Sequence, residues 1–312
     1  RPGGPQIDAA GIGRVGAAGK FRIGKIGFGD RAVSGVETDS ERPWISPDEA
    51  REAIREGDGR GVKVAVIDSG VEADHPQLRK MRLRDSIGVI EGDGRIELRP
   101  GEGFDVYGHG TAVASIIHSI APEAQIGSFR VLDARNLSRT AIIQAGIFEA
   151  FRRGYQIINC SFGCKGLPRY VMPHKRWIDE AYVRGIHVVA ASNNIDPREP
   201  EWPAHFPSVI GVGIARQAGD PSVDDDGFVH VPGELVEFAA PGENVEVAWT
   251  GKGTRVETGS SFAAPAVTGY LARLLSVRPG LPPAHVLDLL PRIAHGASVG
   301  GHLRFTEGSP KA

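Results

Sequence analysis

The stretch Val64-Ala65-Val66-Ile67-Asp68-Ser69-Gly70 decides how the rest of this chain is read. Val62 to Ile67 is a short, β-branched apolar run, the pattern of a strand buried on both faces. It ends in a carboxylate, so Asp68 stands at the carboxyl end of a central strand. In open parallel sheets, ligands bind beyond those ends. Taken alone, Asp68 reads first as a turn aspartate before Ser69-Gly70.

Outward from this strand, similar runs recur at Gln125 to Val131, Gln156 to Cys160, Ile186 to Ala191 and Val209 to Val212. Helical spacing occupies Thr111 to Ile120, Thr140 to Arg152 and Trp177 to Arg184. This alternation predicts an α/β fold with a parallel sheet covered on both sides. Upstream, Ser46-Pro47-Asp48-Glu49 reads as an N-cap serine, a first-position proline and a capping-box glutamate, with the helix ending around Gly57-Asp58-Gly59. Two further helical stretches, Ala263 to Ser276 and Pro282 to Leu290, close the pattern.

No linker or internal repeat interrupts residues 43–300, so residues 43–312 are expected to form one domain. Residues 1–42 are glycine-rich, carry several basic residues and show no sustained period. They read as a flexible N-terminal extension, either a pro-segment remnant or a docking tail. Gly11-Ile12-Gly13-Arg14-Val15-Gly16 matches the dinucleotide-loop spacing, but that pattern has meaning only after a strand. Arg1 to Ala10, with its prolines and glycines, supplies none.

The chain has 312 residues, 41% of them hydrophobic and 24% charged, as in ordinary globular proteins. A formal net charge of −2 gives no electrostatic reason to expect nucleic acid or an anionic membrane as partner. No apolar stretch approaches the roughly 20 residues that span a bilayer. No signal peptide is visible, and the start at Arg1 rather than Met leaves a removed leader open. The two cysteines, Cys160 and Cys164, would lie roughly 13 Å apart on one extended strand. A disulfide needs Cα atoms within about 7 Å, so free thiols are expected.

A serine hydroxyl is a poor nucleophile at neutral pH; it needs a base, and the base needs a partner that fixes its tautomer. Three segments supply such a set in the order Asp, His, Ser. They are Asp68, His109 within Gly108-His109-Gly110-Thr111, and one of the adjacent serines Ser260 and Ser261 within Thr258-Gly259-Ser260-Ser261-Phe262-Ala263-Ala264-Pro265. Each has a plainer alternative: a turn aspartate, a solvated histidine, and a pair of helix-cap serines. At a helix start, free N–H groups favour developing negative charge. Pro265 is expected near the first turn, where its missing N–H matters least.

Together and in this order, the segments resemble the subtilisin-like serine protease family (subtilases, peptidase family S8). Asp74-His75-Pro76-Gln77-Leu78 continues the family pattern after its aspartate, and Gly108 to Ala114 follows its G-H-G-T-x-V-A. Gly259 to Pro265 follows its G-T-S-[MF]-A-x-P, with Ser260 at the threonine and Ser261 at the serine. The resemblance covers about residues 43–295. It implies a three-layer α/β/α, subtilisin-like domain with a mostly parallel sheet, acting as a serine endopeptidase on polypeptide substrates without a cofactor.

It also implies Asp68, His109 and Ser261 as the catalytic triad. Asn194 follows as the oxyanion donor, with Asn193 as the alternative because it replaces the family's glycine. Ser161, Phe162 and Gly163 would pair with an extended substrate, which places Cys164 near a substrate pocket. Glu201 would lie near the base of the pocket for the residue before the scissile bond, favouring Lys or Arg there; a solvated acidic loop is the other reading. Ile116 to Ile120 runs almost directly into Ala121-Pro122, leaving little room for the family's calcium loop, so no metal is expected there. Asp224-Asp225-Asp226-Gly227 reads as a turn. A peptide ligase or macrocyclase, or a non-catalytic peptide-binding relative, would share the fold, and a pro-segment or inhibitor is a possible cleft partner. The family is mostly secreted, while two free thiols are compatible with the cytoplasm.

Overall fold

Fourteen strands and six α-helices build the described part of the chain. The strands are β1 (Lys63–Asp68), β2 (Arg82–Gly92), β3 (Arg95–Pro100), β4 (Gln125–Arg130), β5 (Ile157–Cys160), β6 (Cys164–Lys165) and β7 (His187–Ala191). They continue with β8 (Glu201–Trp202), β9 (Ile210–Ala215), β10 (Val229–His230), β11 (Phe238–Pro241), β12 (Val245–Trp249), β13 (Gly253–Glu257) and β14 (His295–Gly296). The helices are α1 (Pro47–Glu56), α2 (His109–Ile120), α3 (Thr140–Arg152), α4 (Val171–Val183), α5 (Ser260–Val277) and α6 (Pro283–Ile293). This computed structural model describes residues 44–196, 199–215 and 227–296. The extension over 1–42, the glycine pattern at 11–16, Pro197-Arg198 and Asp224-Asp225-Asp226 lie outside the described residues.

Ten strands form one sheet in the order β14-β10-β11-β9-β7-β5-β1-β4-β2-β3. Neighbours from β11 to β2 run parallel; only the β10–β11 and β2–β3 pairs are antiparallel. β1 sits near the middle, and its side chains alternate between two cores as the two-residue strand period requires. Val64 and Val66 join α1, α2, α5 and α6 on one face. Ala65 and Ile67 join α3 and α4 on the other. The layers are therefore helix, sheet and helix.

Local chemistry explains the helix ends. Ser46 Oγ accepts the Glu49 N–H at 3.3 Å, while Glu49 Oε2 accepts the Ser46 N–H at 2.8 Å, completing the expected capping box. α4 begins at Val171, six residues before the predicted Trp177. Its buried face is His174, Trp177, Ile178 and Ala181, so the exposed first turn leaves little apolar periodicity to read. The β2–β3 hairpin turns on Asp93 (φ 48°) and Gly94 (φ 71°), the left-handed pair of a tight two-residue turn.

One expectation about α5 is corrected. The helix begins at Ser260, so Pro265 lies in its second turn rather than the first. There it removes the N–H that would reach the carbonyl of Ser261, four residues earlier. That oxygen is satisfied from outside the helix: Ser161 Oγ donates to it at 3.0 Å. Among the described residues, no helix is long and apolar enough to cross a membrane.

Candidate active site

β1 ends on Asp68, whose side chain is fully buried, and α2 begins on His109, 7% exposed. His109 Nδ1 lies 2.8 and 3.0 Å from the two Asp68 carboxylate oxygens. An ionised carboxylate only accepts, so Nδ1 carries the proton and donates. Nε2 is then the free lone-pair nitrogen. Asp68 Oδ1 also accepts the Ser69 N–H at 2.7 Å, and the Asp68 carbonyl accepts the Val131 and Leu132 N–H groups. The carboxylate is held from both backbone and side chain.

The His109 pKa is raised. Burial opposes the imidazolium, but the Asp68 charge and hydrogen bond, with the Asp105 and Glu257 carboxylates, outweigh it. His109 is thus a stronger base than an isolated imidazole, held in the tautomer that presents Nε2.

Asp105 is a site residue that the sequence reading missed. Its Oδ1 accepts from Ser69 Oγ (2.8 Å), Tyr107 N (2.9 Å) and Gly108 N (2.8 Å), and its Oδ2 accepts from Thr111 N (2.9 Å). Ser69 Oγ in turn accepts the Gly110 N–H at 3.0 Å. These bonds tie the loop after β1 to the first turn of α2, which fixes His109 over Asp68. The legible signal was an aspartate three residues before Gly108, where such residues gather helix-start N–H groups.

The two adjacent serines separate cleanly. Ser260 is 1% exposed; its Oγ donates to Ser192 O at 2.6 Å and its N–H donates to Asn194 Oδ1 at 2.7 Å. It is a strut between α5 and the end of β7. Ser261 is partly exposed, and its hydroxyl donates to Ser161 O at 3.1 Å. The following Phe262 brings its ring within 5.6 Å of the His109 ring centroid. No hydrogen bond joins His109 and Ser261 among the described residues; the Ser261 hydroxyl is directed to Ser161 O instead.

The asparagines also differ. Asn193 Oδ1 accepts the N–H groups of Ile195 (2.7 Å) and Asp196 (3.2 Å), closing its own turn. Asn194 accepts the Ser260 N–H through Oδ1, and its Nδ2 lies 3.5 Å from where a Cβ on Gly259 would be. Asn194 therefore presents its amide donors beside the start of α5.

Ser161, Phe162 and Gly163 follow β5 along one side of this constellation. Phe162, Gly163 and Cys164 line a cavity of about 420 Å³ with Leu132, Ile143 and His174. Cys160 and Cys164 are both free; burial, then the Glu201 carboxylate, pushes the Cys164 thiol up to about 11. Glu201, in β8, lies across Gly163: a Cβ there would come 2.4 Å from its carboxyl carbon. Burial raises the Glu201 pKa, opposed by the charge of His205. No Lys or Arg among the described residues pairs with this carboxylate.

Comparisons with known proteins bear on the family and the fold. The family described as Subtilase (peptidase S8) matches residues 59–308. A subtilisin-like protease of Coccidioides posadasii is 31% identical over 271 residues, covering 81% of this chain and 60% of that protein. Subtilisin DY of Bacillus licheniformis is 31% identical over 247 residues, covering 74% of this chain and 83% of that protein. This chain thus spans less than two thirds of the fungal relative but most of the bacterial one. Among solved structures, a cold-adapted subtilisin-like serine proteinase superposes with a TM-score of 0.63 at 25% identity, over 78% of this chain and 86% of that one. Sphericase, at 23% identity and a TM-score of 0.64, shares the fold over 75% of this chain and 83% of its own.

Proposed function

Because this chain belongs to the subtilase family of serine endopeptidases, we propose that it hydrolyses peptide bonds through Asp68, His109 and Ser261. The observation that carries the reading is the buried Asp68–His109 Nδ1 pair at 2.8 Å, beside a partly exposed serine at the start of α5. His109 Nε2 takes the Ser261 proton as Oγ attacks the scissile carbonyl. Asp68 stabilises the imidazolium that forms. That imidazolium then protonates the leaving amine, and water, deprotonated by the same nitrogen, releases the acyl group.

The oxyanion would be received by the Ser261 N–H and the Asn194 amide. The bond from Ser260 N to Asn194 Oδ1 supports this role, because it fixes the amide and leaves Nδ2 for the substrate. Loss of one such donor lowers kcat by about 10²–10³, a magnitude that comes from subtilisin itself. An extended substrate would lie along Ser161-Phe162-Gly163 by backbone pairing.

A fluorophosphonate probe tests the proposal. It should label the wild-type protein on Ser261 and fail to label S261A or H109A. Undiminished labelling of S261A, or none of a folded wild-type protein, would overturn it.

The half-buried Glu201, which has no Lys or Arg partner among the described residues, supports a finer reading, in which a Lys or Arg side chain of the substrate completes a pair across Gly163.

A further inference from the structure

Pro265 leaves the carbonyl of the nucleophilic residue without its helical partner, and a chain of buried hydroxyl and amide groups fills that gap. Ser161 Oγ donates to Ser261 O at 3.0 Å, and Asn159 Nδ2 donates to Ser161 Oγ at 3.0 Å. Thr268 Oγ1 then donates to Asn159 Oδ1 at 2.8 Å. Thr268 belongs to α5, two turns beyond Ser261, so the chain leaves the helix, crosses to β5 and returns. Thr268 and Asn159 are fully buried, and Ser161 is 3% exposed.

Each member has its direction set by the next. Thr268 spends its proton on Asn159 Oδ1, which turns Nδ2 toward Ser161. Ser161 Oγ accepts there and has one proton left, which goes to Ser261 O. The Ser161 carbonyl meanwhile accepts the Ser261 hydroxyl at 3.1 Å, so the two residues hold each other reciprocally.

We propose that Thr268, Asn159 and Ser161 are positioning residues. Together they replace the helix bond that Pro265 removes and so fix Ser261 against β5. The inference rests on Ser261 being the nucleophile. A carbonyl left without a donor in this place would draw in water or turn toward solvent, taking the Ser261 N–H and Oγ with it. Misplacement of a reacting group by about 1 Å costs on the order of 10²-fold in rate.

The relation between Pro265 and Ser161 makes the idea testable by a double-mutant cycle on kcat. S161A should lower kcat about tenfold, the worth of one buried hydrogen bond, with KM changed by less than about twofold. S161T keeps the hydroxyl and should retain most of the activity. P265A restores an N–H at residue 265 that can reach Ser261 O. On that background, S161A should cost less than about twofold. A second cycle, T268V with S161A, does not depend on P265A folding; the double variant should be no slower than S161A alone. Equal S161A penalties with and without Pro265, or multiplicative effects of T268V and S161A, would overturn the inference. A raised KM at unchanged kcat would also overturn it, by assigning the Ser161 hydroxyl to substrate contact. Failure of the triad itself would appear separately, as hydrolysis surviving in S261A.

Discussion

Gly110 and Gly70 pack backbone against backbone: a Cβ on residue 110 would lie 2.1 Å from the Gly70 carbonyl oxygen and 3.1 Å from the Asp68 Cβ. The first turn of α2 rests directly on the loop that follows Asp68. Gly110→Ala should therefore push His109 away from Asp68, with kcat falling by at least about 10²-fold. Steady-state kinetics on a peptide substrate checks this. Activity within twofold of wild type would mean that the loop yields without moving the pair.

The Asp68–His109 bond fixes the sign of the pH dependence. In the proposed mechanism the neutral imidazole is the base, so kcat/KM should fall as pH drops through the raised His109 pKa. Asp68→Asn removes the main raising influence and leaves burial, which lowers the value. Its acid limb should shift to lower pH, and kcat should fall by about 10⁴ because the amide favours the wrong tautomer. The stability effect has the opposite sense. A folded pKa above the unfolded one of about 6.5 stabilises the fold fully below the unfolded value. That contribution is lost as pH rises through the folded value. An acid limb in D68N at or above the wild-type position would contradict this account.

The parts of this molecule that were legible in the sequence are those where one residue type answers one local requirement. The buried run ending at Asp68, the Ser46–Glu49 capping box and the glycines around His109 are of this kind. What escaped depends on partners far apart in the chain. Ser161 meets Ser261 across 100 residues, and Thr268 meets Asn159 across 109. No local period encodes either contact. The Arg82–Pro100 hairpin escaped for another reason: at the sheet edge its alternation is carried largely by charged and polar residues, which mimic a loop. Pro265 lies a turn deeper in α5 than its sequence context implies, because the helix starts at Ser260, whose N–H is taken by the distant Asn194 and not by a cap of its own.

Asp105 accepts five hydrogen bonds, four from Tyr107, Gly108 and Thr111 before and within α2 and one from Ser69 after β1. Asp105→Ala should destabilise the protein by at least about 3 kcal/mol, since several bonds to a charged acceptor are lost and each contributes about 1.5–3 kcal/mol. kcat should drop as well, because the same bonds position His109. Urea unfolding followed with kinetics measures both. A stability change inside about 0.5 kcal/mol would show that water replaces the carboxylate without loss.

Glu201 gives a prediction about selectivity that is separable from catalysis. Its carboxylate lies across Gly163, is half-buried, and has its pKa raised by burial. The wild-type protein should cleave after Arg with a kcat/KM about tenfold or more above that after Phe or Leu, and Glu201→Gln should level these values. The Arg-to-Phe ratio should also decline on acidification at a higher pH than an ordinary carboxylate of about 4.3 would give. Taking the ratio cancels the titration of His109, which both substrates share. Equal kcat/KM values on Arg and Phe peptides for the wild type would remove Glu201 from the specificity pocket. A ratio that persists in E201Q would assign the preference to another group.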